Sequence, residues 1–140
     1  MCSSDLVELG RARLARSGGD LTLVAWGAMV DVCERAADAL EHEASVEVLD
    51  LRTLKPLDEE GVLASVRRTG RCVVVQEAPR TCGFASEVSA LLAEQAMLDL
   101  RGPVVRVTGY DVPYPYWQLE DWYMPSVERV VDAVHRVLAF

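Results

Sequence analysis

Apolar positions in this chain follow two alternating patterns, short continuous runs and stripes at helical spacing. Leu21 to Trp26, Val46 to Leu51, Cys72 to Val75 and Val104 to Thr108 are runs dominated by Val and Leu. Runs of this kind need cover on both faces, which places them inside a mostly parallel sheet flanked by helices. Between them come the stripes. Met29, Val32, Cys33, Ala36, Ala37 and Leu40 share one face of a helix over 29–42, and Phe84, Val88, Leu91 and Leu92 share a face after a turn at Pro79 to Gly83. Val127, Val130, Val131, Val134, Val137 and Leu138 line the last helix, with Ser126 as its N-cap. Another helix runs from Asp58, whose carboxylate can bond the free amides of the first turn, to Thr69-Gly70, with Gly61 a weak point inside it. Residues 9–17 alternate apolar and basic positions, with Leu9, Ala12, Leu14 and Ala15 available for an inner face. This is an edge-strand pattern whose arginines discourage edge-to-edge pairing.

A strand, three strand-helix units, then a strand, a loop and a helix predict an α/β fold. It is a three-layer α/β/α sandwich on a mixed, mostly parallel five-stranded sheet, with the first strand antiparallel at an edge. Residues 1–8 read as a tail or a boundary remnant, and 9–140 as one domain. At 140 residues and 51% hydrophobic content, the chain has material for one core.

Charge and cysteines narrow the function. A net charge of -8 argues against nucleic-acid backbones and suits a basic protein partner. The four cysteines show no C-x-x-C pair and no His at ligand spacing, so they read as reduced thiols rather than a metal or redox site. No apolar run approaches the roughly 20 residues needed to span a bilayer. The opening MCSSDLVELG lacks the pattern of a signal peptide, so a cytoplasmic location without membrane contact is expected.

Catalysis should leave a constellation, and none is found. There is no G-x-S-x-G elbow, no G-x-x-x-x-G-K-[ST] and no G-x-G-x-x-G after a strand, while His42 and His135 read as solvated surface residues. Gly27 and the turn Thr81-Cys82-Gly83 lie where strands hand over to helices, the crevice at which doubly wound sheets bind ligands. A free-standing module holding a small anion there is one reading. Glu77 and Glu87 could form a carboxylate pair, although such residues more often bond amides or meet a partner's cations. The larger anomaly is GYDVPYPYWQLEDWYMP, residues 109–125, with no helix or strand period. Tyr110, Tyr114, Tyr116, Trp117, Trp122 and Tyr123 exceed what the core can bury, so the loop reads as a contact surface.

Four stretches in order, LTLVAWGAMV (21–30), VEVLDLRTLKPLD (46–58), QEAPRTCGFASEV (76–88) and the 109–125 loop, resemble the C-terminal domain of the beta subunit of thiamine-diphosphate-dependent 2-oxo acid dehydrogenases. GYDVP-YP looks more like the branched-chain than the pyruvate enzymes; the pyruvate enzyme is the alternative. The resemblance implies the transketolase C-terminal fold and a role in assembly and docking. In that family thiamine diphosphate with Mg is held between the alpha subunit and the beta subunit's N-terminal domain, so no catalytic, cofactor or metal residue is assigned to this chain. The implied partners are the alpha subunit, a second beta subunit and the subunit-binding domain of the lipoyl acyltransferase. The expected subunit interface is Gly83, Phe84, Glu87, Tyr116, Trp117, Trp122 and Tyr123. The expected docking site is Phe140 with its carboxylate, helped by Glu128 and Asp132 on an acidic surface around the last helix. The chain departs from the family at Gln76, where His is frequent, and at Cys82, where a second Gly is frequent; both weaken a direct role for this turn in an active-site wall.

Overall fold

The computed structural model describes residues 7–140, so most of the expected tail 1–8 lies outside the described residues. The strands are β1 (Arg13–Arg16), β2 (Leu21–Ala25), β3 (Val46–Asp50), β4 (Cys72–Pro79) and β5 (Val105–Gly109). The helices are α1 (Met29–Ala39), α2 (Glu59–Thr69), α3 (Ala85–Gln95), α4 (Glu120–Tyr123) and α5 (Val127–Leu138), with a 3-10 turn at Met97–Asp99. The sheet order is β1-β3-β2-β4-β5; β1 is antiparallel to β3 and every other pairing is parallel. This is the expected mixed five-stranded α/β/α sandwich.

Alternate residues of the central strands feed two cores. Leu23, Val48, Val73, Val75 and Val107 meet α1 and α5, while Val24, Leu49, Cys72 and Val74 meet α2 and α3. Burial on both sides explains the continuous apolar runs.

Three expectations needed correction. β4 continues beyond Val75 to Pro79, where it pairs with Gly109 after a register shift, because β5 is long enough to follow it past the irregularity. Leu9 and Leu14 are exposed; a register shift between Leu14 and Arg16 breaks the alternation, and Ala12 and Ala15 pack inward instead. The helix over 29–42 stops at Ala39, with His42 exposed in the turn beyond it.

Capping accounts for α2. Asp58 accepts the Gly61 amide at 3.0 Å and the Ala12 amide at 2.9 Å, so one carboxylate starts the helix and ties down the approach to β1. Gly61 is less a weak point than a requirement, since a Cβ there would sit 2.6 Å from the Asp58 carboxylate. Beneath the sheet, Glu47 is fully buried, accepts the Thr22 hydroxyl at 3.1 Å and pairs with Arg68.

Candidate functional site

The C-terminal ends of β2 and β4 diverge because β2 leads through α1 to β3 on one side, while β4 leads through α3 to β5 on the other. This switch point opens a crevice of about 490 Å³ lined by Trp26, Gly27, Glu77, Pro79, Tyr114 and Tyr123. Gly27 has φ +58°, and a Cβ added there would meet nothing within 4 Å, so it leaves the crevice mouth open. Gly83 does the opposite. It is buried, and a Cβ would overlap Gln76 Nε2 and stand 2.5 Å from the Pro79 carbonyl. The two glycines therefore serve turns of different kinds and do not jointly form the open anion cradle of the alternative reading.

Gln76 explains the closed turn. Fully buried, it accepts the Ala85 amide at 2.7 Å and donates to the carbonyls of Ala78 at 3.1 Å and Pro79 at 2.8 Å. One uncharged amide thus joins the strand exit to the start of α3 and needs no titratable group. Cys82 beside it has φ +57°, the left-handed region that glycine occupies most easily.

Glu77 and Glu87 are not a pair: Glu77 lines the switch-point crevice, and Glu87 lines a separate cavity of about 280 Å³ with Leu54, Phe84 and Glu94. Thiamine diphosphate with Mg does not fit the crevice, whose lining among the described residues offers one carboxylate and no Lys or Arg to meet a diphosphate. Among the described residues, no group of three His, Cys, Asp or Glu side chains could hold a metal ion. The crevice lining holds Glu77 and the phenols of Tyr114 and Tyr123 as its titratable groups and, among the described residues, no Ser, Cys or His.

The aromatic loop over the crevice is anchored from within. Tyr123, on α4, is only 5% exposed and meets the Tyr114 ring at 5.0 Å and the Tyr110 ring at 6.5 Å, both edge to face. Arg129 of α5 donates to the Thr108 carbonyl at 2.6 Å and lies 4.7 Å from the Tyr110 ring centre. Asp111 accepts both the amide and the hydroxyl of Thr81 at 2.8 Å, fastening the loop to the β4 turn. Those two bonds hold the exposed Asp111 carboxyl below its ordinary value. Burial, then Asp111 and Tyr114, push the Tyr123 phenol up, which keeps it neutral and inside.

Because the folded value of Asp111 is depressed, its contribution to loop order is complete above the ordinary carboxylate range and is lost as pH falls through the lowered value. Asp111→Ala should therefore reduce the near-ultraviolet circular dichroism of the loop aromatics at neutral pH. It should also lack the acid-dependent loss of that signal that is expected of the wild type. Equal acid titration of the two proteins would refute the anchor.

Over this base, Tyr116, Trp117 and Trp122 are 93%, 82% and 81% exposed. Leu119, Trp122, Val112 and Pro115 also line an apolar hollow of about 330 Å³. Of the aromatics in the expected interface, Tyr116, Trp117 and Trp122 are the ones that face solvent. Tyr123 and Gly83 are interior supports, and Phe84 is half-buried, with its ring 5.6 Å from and edge-on to Trp26. Exposed aromatics held by a rigid base lose little entropy on contact, the character of interface anchors.

The expected docking trio separates. Glu128 stands in the first turn of α5, where its own backbone amide and the Ser126 hydroxyl hold its carboxyl below the ordinary value. Phe140 lies past the other end, about 18 Å away along the helix axis. It is 74% exposed, and its Cβ approaches the position of a Cβ on Gly102 to 3.1 Å. Asp132 lies between them, in a cavity shared with Arg80, Arg106, Arg129 and Arg136. The surface around α5 is thus strongly cationic on one side, against the expected acidic surface. No signal along the chain marked this convergence except the spacing of Arg129 and Arg136, seven residues apart and so on one helix face.

Comparison with known proteins places these features in a family. The chain is 48% identical over 135 residues to the pyruvate dehydrogenase E1 component subunit beta of Leifsonia xyli subsp. xyli, covering 96% of this chain and 40% of that one. It is 46% identical over 133 residues to the 2-oxoisovalerate dehydrogenase subunit beta of Pseudomonas aeruginosa, covering 94% and 37%. It spans about two fifths of the length of these curated relatives. A solved split gene transketolase, an inactive beta4 tetramer, superposes with a TM-score of 0.83 at 35% identity, covering 99% of this chain and 45% of that one. The family model for the transketolase C-terminal domain matches residues 10–130, and the chain belongs to that family.

Proposed function

We propose that residues 9–140 form the C-terminal assembly and docking domain of the beta subunit of a 2-oxo acid dehydrogenase. Here the aromatic loop is a subunit-contact surface and no residue is catalytic. The observation that carries this reading is the loop itself, with Tyr123, Asp111 and Arg129 fixing it from inside while Tyr116, Trp117 and Trp122 face outward. In the complete enzyme, an alpha2beta2 assembly, a 2-oxo acid would be oxidatively decarboxylated and its acyl group passed to lipoamide. Thiamine diphosphate with Mg would be held by segments outside this chain. Pyruvate and branched-chain relatives are nearly equally similar, at 48% and 46% identity. The branched-chain reading rests on the GYDVP-YP stretch alone.

The partners in this reading are the alpha subunit, a second beta subunit and the subunit-binding domain of a lipoyl acyltransferase. The beta4 assembly of the similar split gene transketolase supports self-association. Docking of the basic acyltransferase domain is assigned to Phe140 and the C-terminal end of α5, where the helix dipole favours a cation. We place the protein in the cytoplasm with reduced thiols. Cys33 and Cys72 are buried, and burial pushes the Cys72 thiol up to about 12. No helix among the described residues is long and apolar enough to cross a membrane.

The test is sedimentation velocity of the chain beside a Trp117→Ala/Trp122→Ala variant. Both side chains are solvent-facing, so unfolding stability should stay within about 0.5 kcal/mol. Self-association should weaken at least tenfold, since interface Trp residues typically contribute about 2 kcal/mol or more each. Unchanged association, or a wild type that stays monomeric at high concentration, would remove the loop as the contact surface.

A further inference from the structure

On the open edge of the sheet, β5, α5 and the turn after β4 enclose a cavity of about 580 Å³ into which Arg80, Arg106, Arg129 and Arg136 converge. We propose that this cavity binds a small multivalent oxyanion of phosphate-ester or diphosphate chemistry, at a site separate from the aromatic loop surface and the switch-point crevice.

The arginines differ from most others in the chain. Arg11, Arg13, Arg16, Arg35, Arg67 and Arg68 each pair with a carboxylate, whereas none of the four cavity arginines forms an ion pair among the described residues. Two of them are oriented by uncharged groups. Arg106 donates to the Ser86 hydroxyl at 2.6 Å and to the Arg80 carbonyl at 3.3 Å, and Arg129 donates to the Thr108 carbonyl and stacks on Tyr110. Carbonyls, hydroxyls and a ring fix the guanidinium planes without neutralising them. Arg80 and Arg136 make no side-chain hydrogen bond among the described residues; Arg80 feels the charge of Asp111 beyond ion-pair distance, and Arg136 has no ion-pair partner there.

The charge balance points the same way. Among the described residues Asp132 is the sole carboxylate in the lining, and His135 is already engaged by Glu43 at 2.9 Å. Four cations against one anion, on a chain of net charge -8, make a local reversal of the protein's field. Like charges gathered in a concave wall repel one another, and a multivalent oxyanion relieves that repulsion while accepting bidentate bonds from the guanidinium forks. The volume suits a compact ligand.

Calorimetric titration of this chain with pyrophosphate, with sodium chloride matching ionic strength in the reference, tests the proposal. Arg80→Gln/Arg136→Gln is the informative variant because neither side chain supports the fold through a bond, and with two like charges removed its melting temperature without ligand should be no lower than that of the wild type. Saturable binding by the wild type that weakens at least tenfold in the variant is the expected result. Absent saturable binding at millimolar pyrophosphate, equal affinity in the two proteins, or tighter arginine-dependent binding of an acidic peptide would each overturn it. None of these outcomes bears on self-association through the aromatic loop, so the two readings fail separately.

Discussion

Arg68→Met is expected to lower the unfolding free energy by about 3 kcal/mol, the low end for breaking a buried ion pair. Glu47 has no exposure at all, and its carboxylate is met by Arg68 and the Thr22 hydroxyl; Thr22 in turn contacts the Thr69 hydroxyl at 2.8 Å. Arg68 is 52% exposed, so water replaces part of what it supplied, which keeps the loss at that lower end. The pair joins β2, β3 and α2 at one point, and its removal leaves a charge without a counterion. Replacing both members should therefore cost less than replacing one. Glu47→Leu/Arg68→Met keeps the Thr22 to Thr69 bond and fills the carboxylate's space with apolar atoms. Urea denaturation of the three proteins checks this. A double variant less stable than Arg68→Met would show that Glu47 contributes through some role other than the pair.

The second large effect is expected at Gly83→Ala. The added methyl would overlap Gln76 Nε2 and stand 2.5 Å from the Pro79 carbonyl, so either the amide or the backbone turn must move. Moving Gln76 abandons its bond to the Ala85 amide at the start of α3, and a buried unsatisfied group costs about 1–3 kcal/mol. Together with overpacking of about 1–3 kcal/mol, the loss should reach about 3 kcal/mol or more, seen as a lower denaturation midpoint. Adding Gln76→Ala to this variant should recover only part of it, since the Ala85 amide stays without its acceptor and the contact with the Pro79 carbonyl remains. Full recovery would mean that the backbone of the turn yields to the methyl without cost.

These two cases mark what the sequence makes legible. Strand and helix order is readable because each central strand is apolar on both sides, a pattern only a covered parallel sheet sustains, and because Asp58 and Ser126 announce helix starts that the structure realises as caps. Glu47 is different: it interrupts VEVLDL, and nothing nearby in the chain discloses the Arg68 that makes its burial tolerable. The bulge in β1 is a similar case, since a single inserted residue exchanges the inner positions from Leu14 to Ala15 without changing the composition.

The candidate surface was half readable. Six aromatics in an aperiodic stretch disclose that some must face outward, but their chemistry is nearly the same on both sides of the loop. Only the packing separates Tyr123, held against two rings, from Trp117 and Trp122, which are not. The arginine cavity was still harder to foresee, because its members come from a turn, a strand and a helix spread over residues 80–136. It also changes the reading of α5, from an acidic docking face to one with a cationic side.

Oxidative footprinting of the chain at low and high concentration, read by mass spectrometry, tests the assembly role most directly. With the aromatic loop as the contact surface, Tyr116, Trp117 and Trp122 lose reactivity as the chain associates. Met97 and Leu98, exposed on another part of the surface at 70% and 99%, should keep theirs. Association that leaves the three loop aromatics as reactive as in the monomer would contradict the assembly role assigned to the loop.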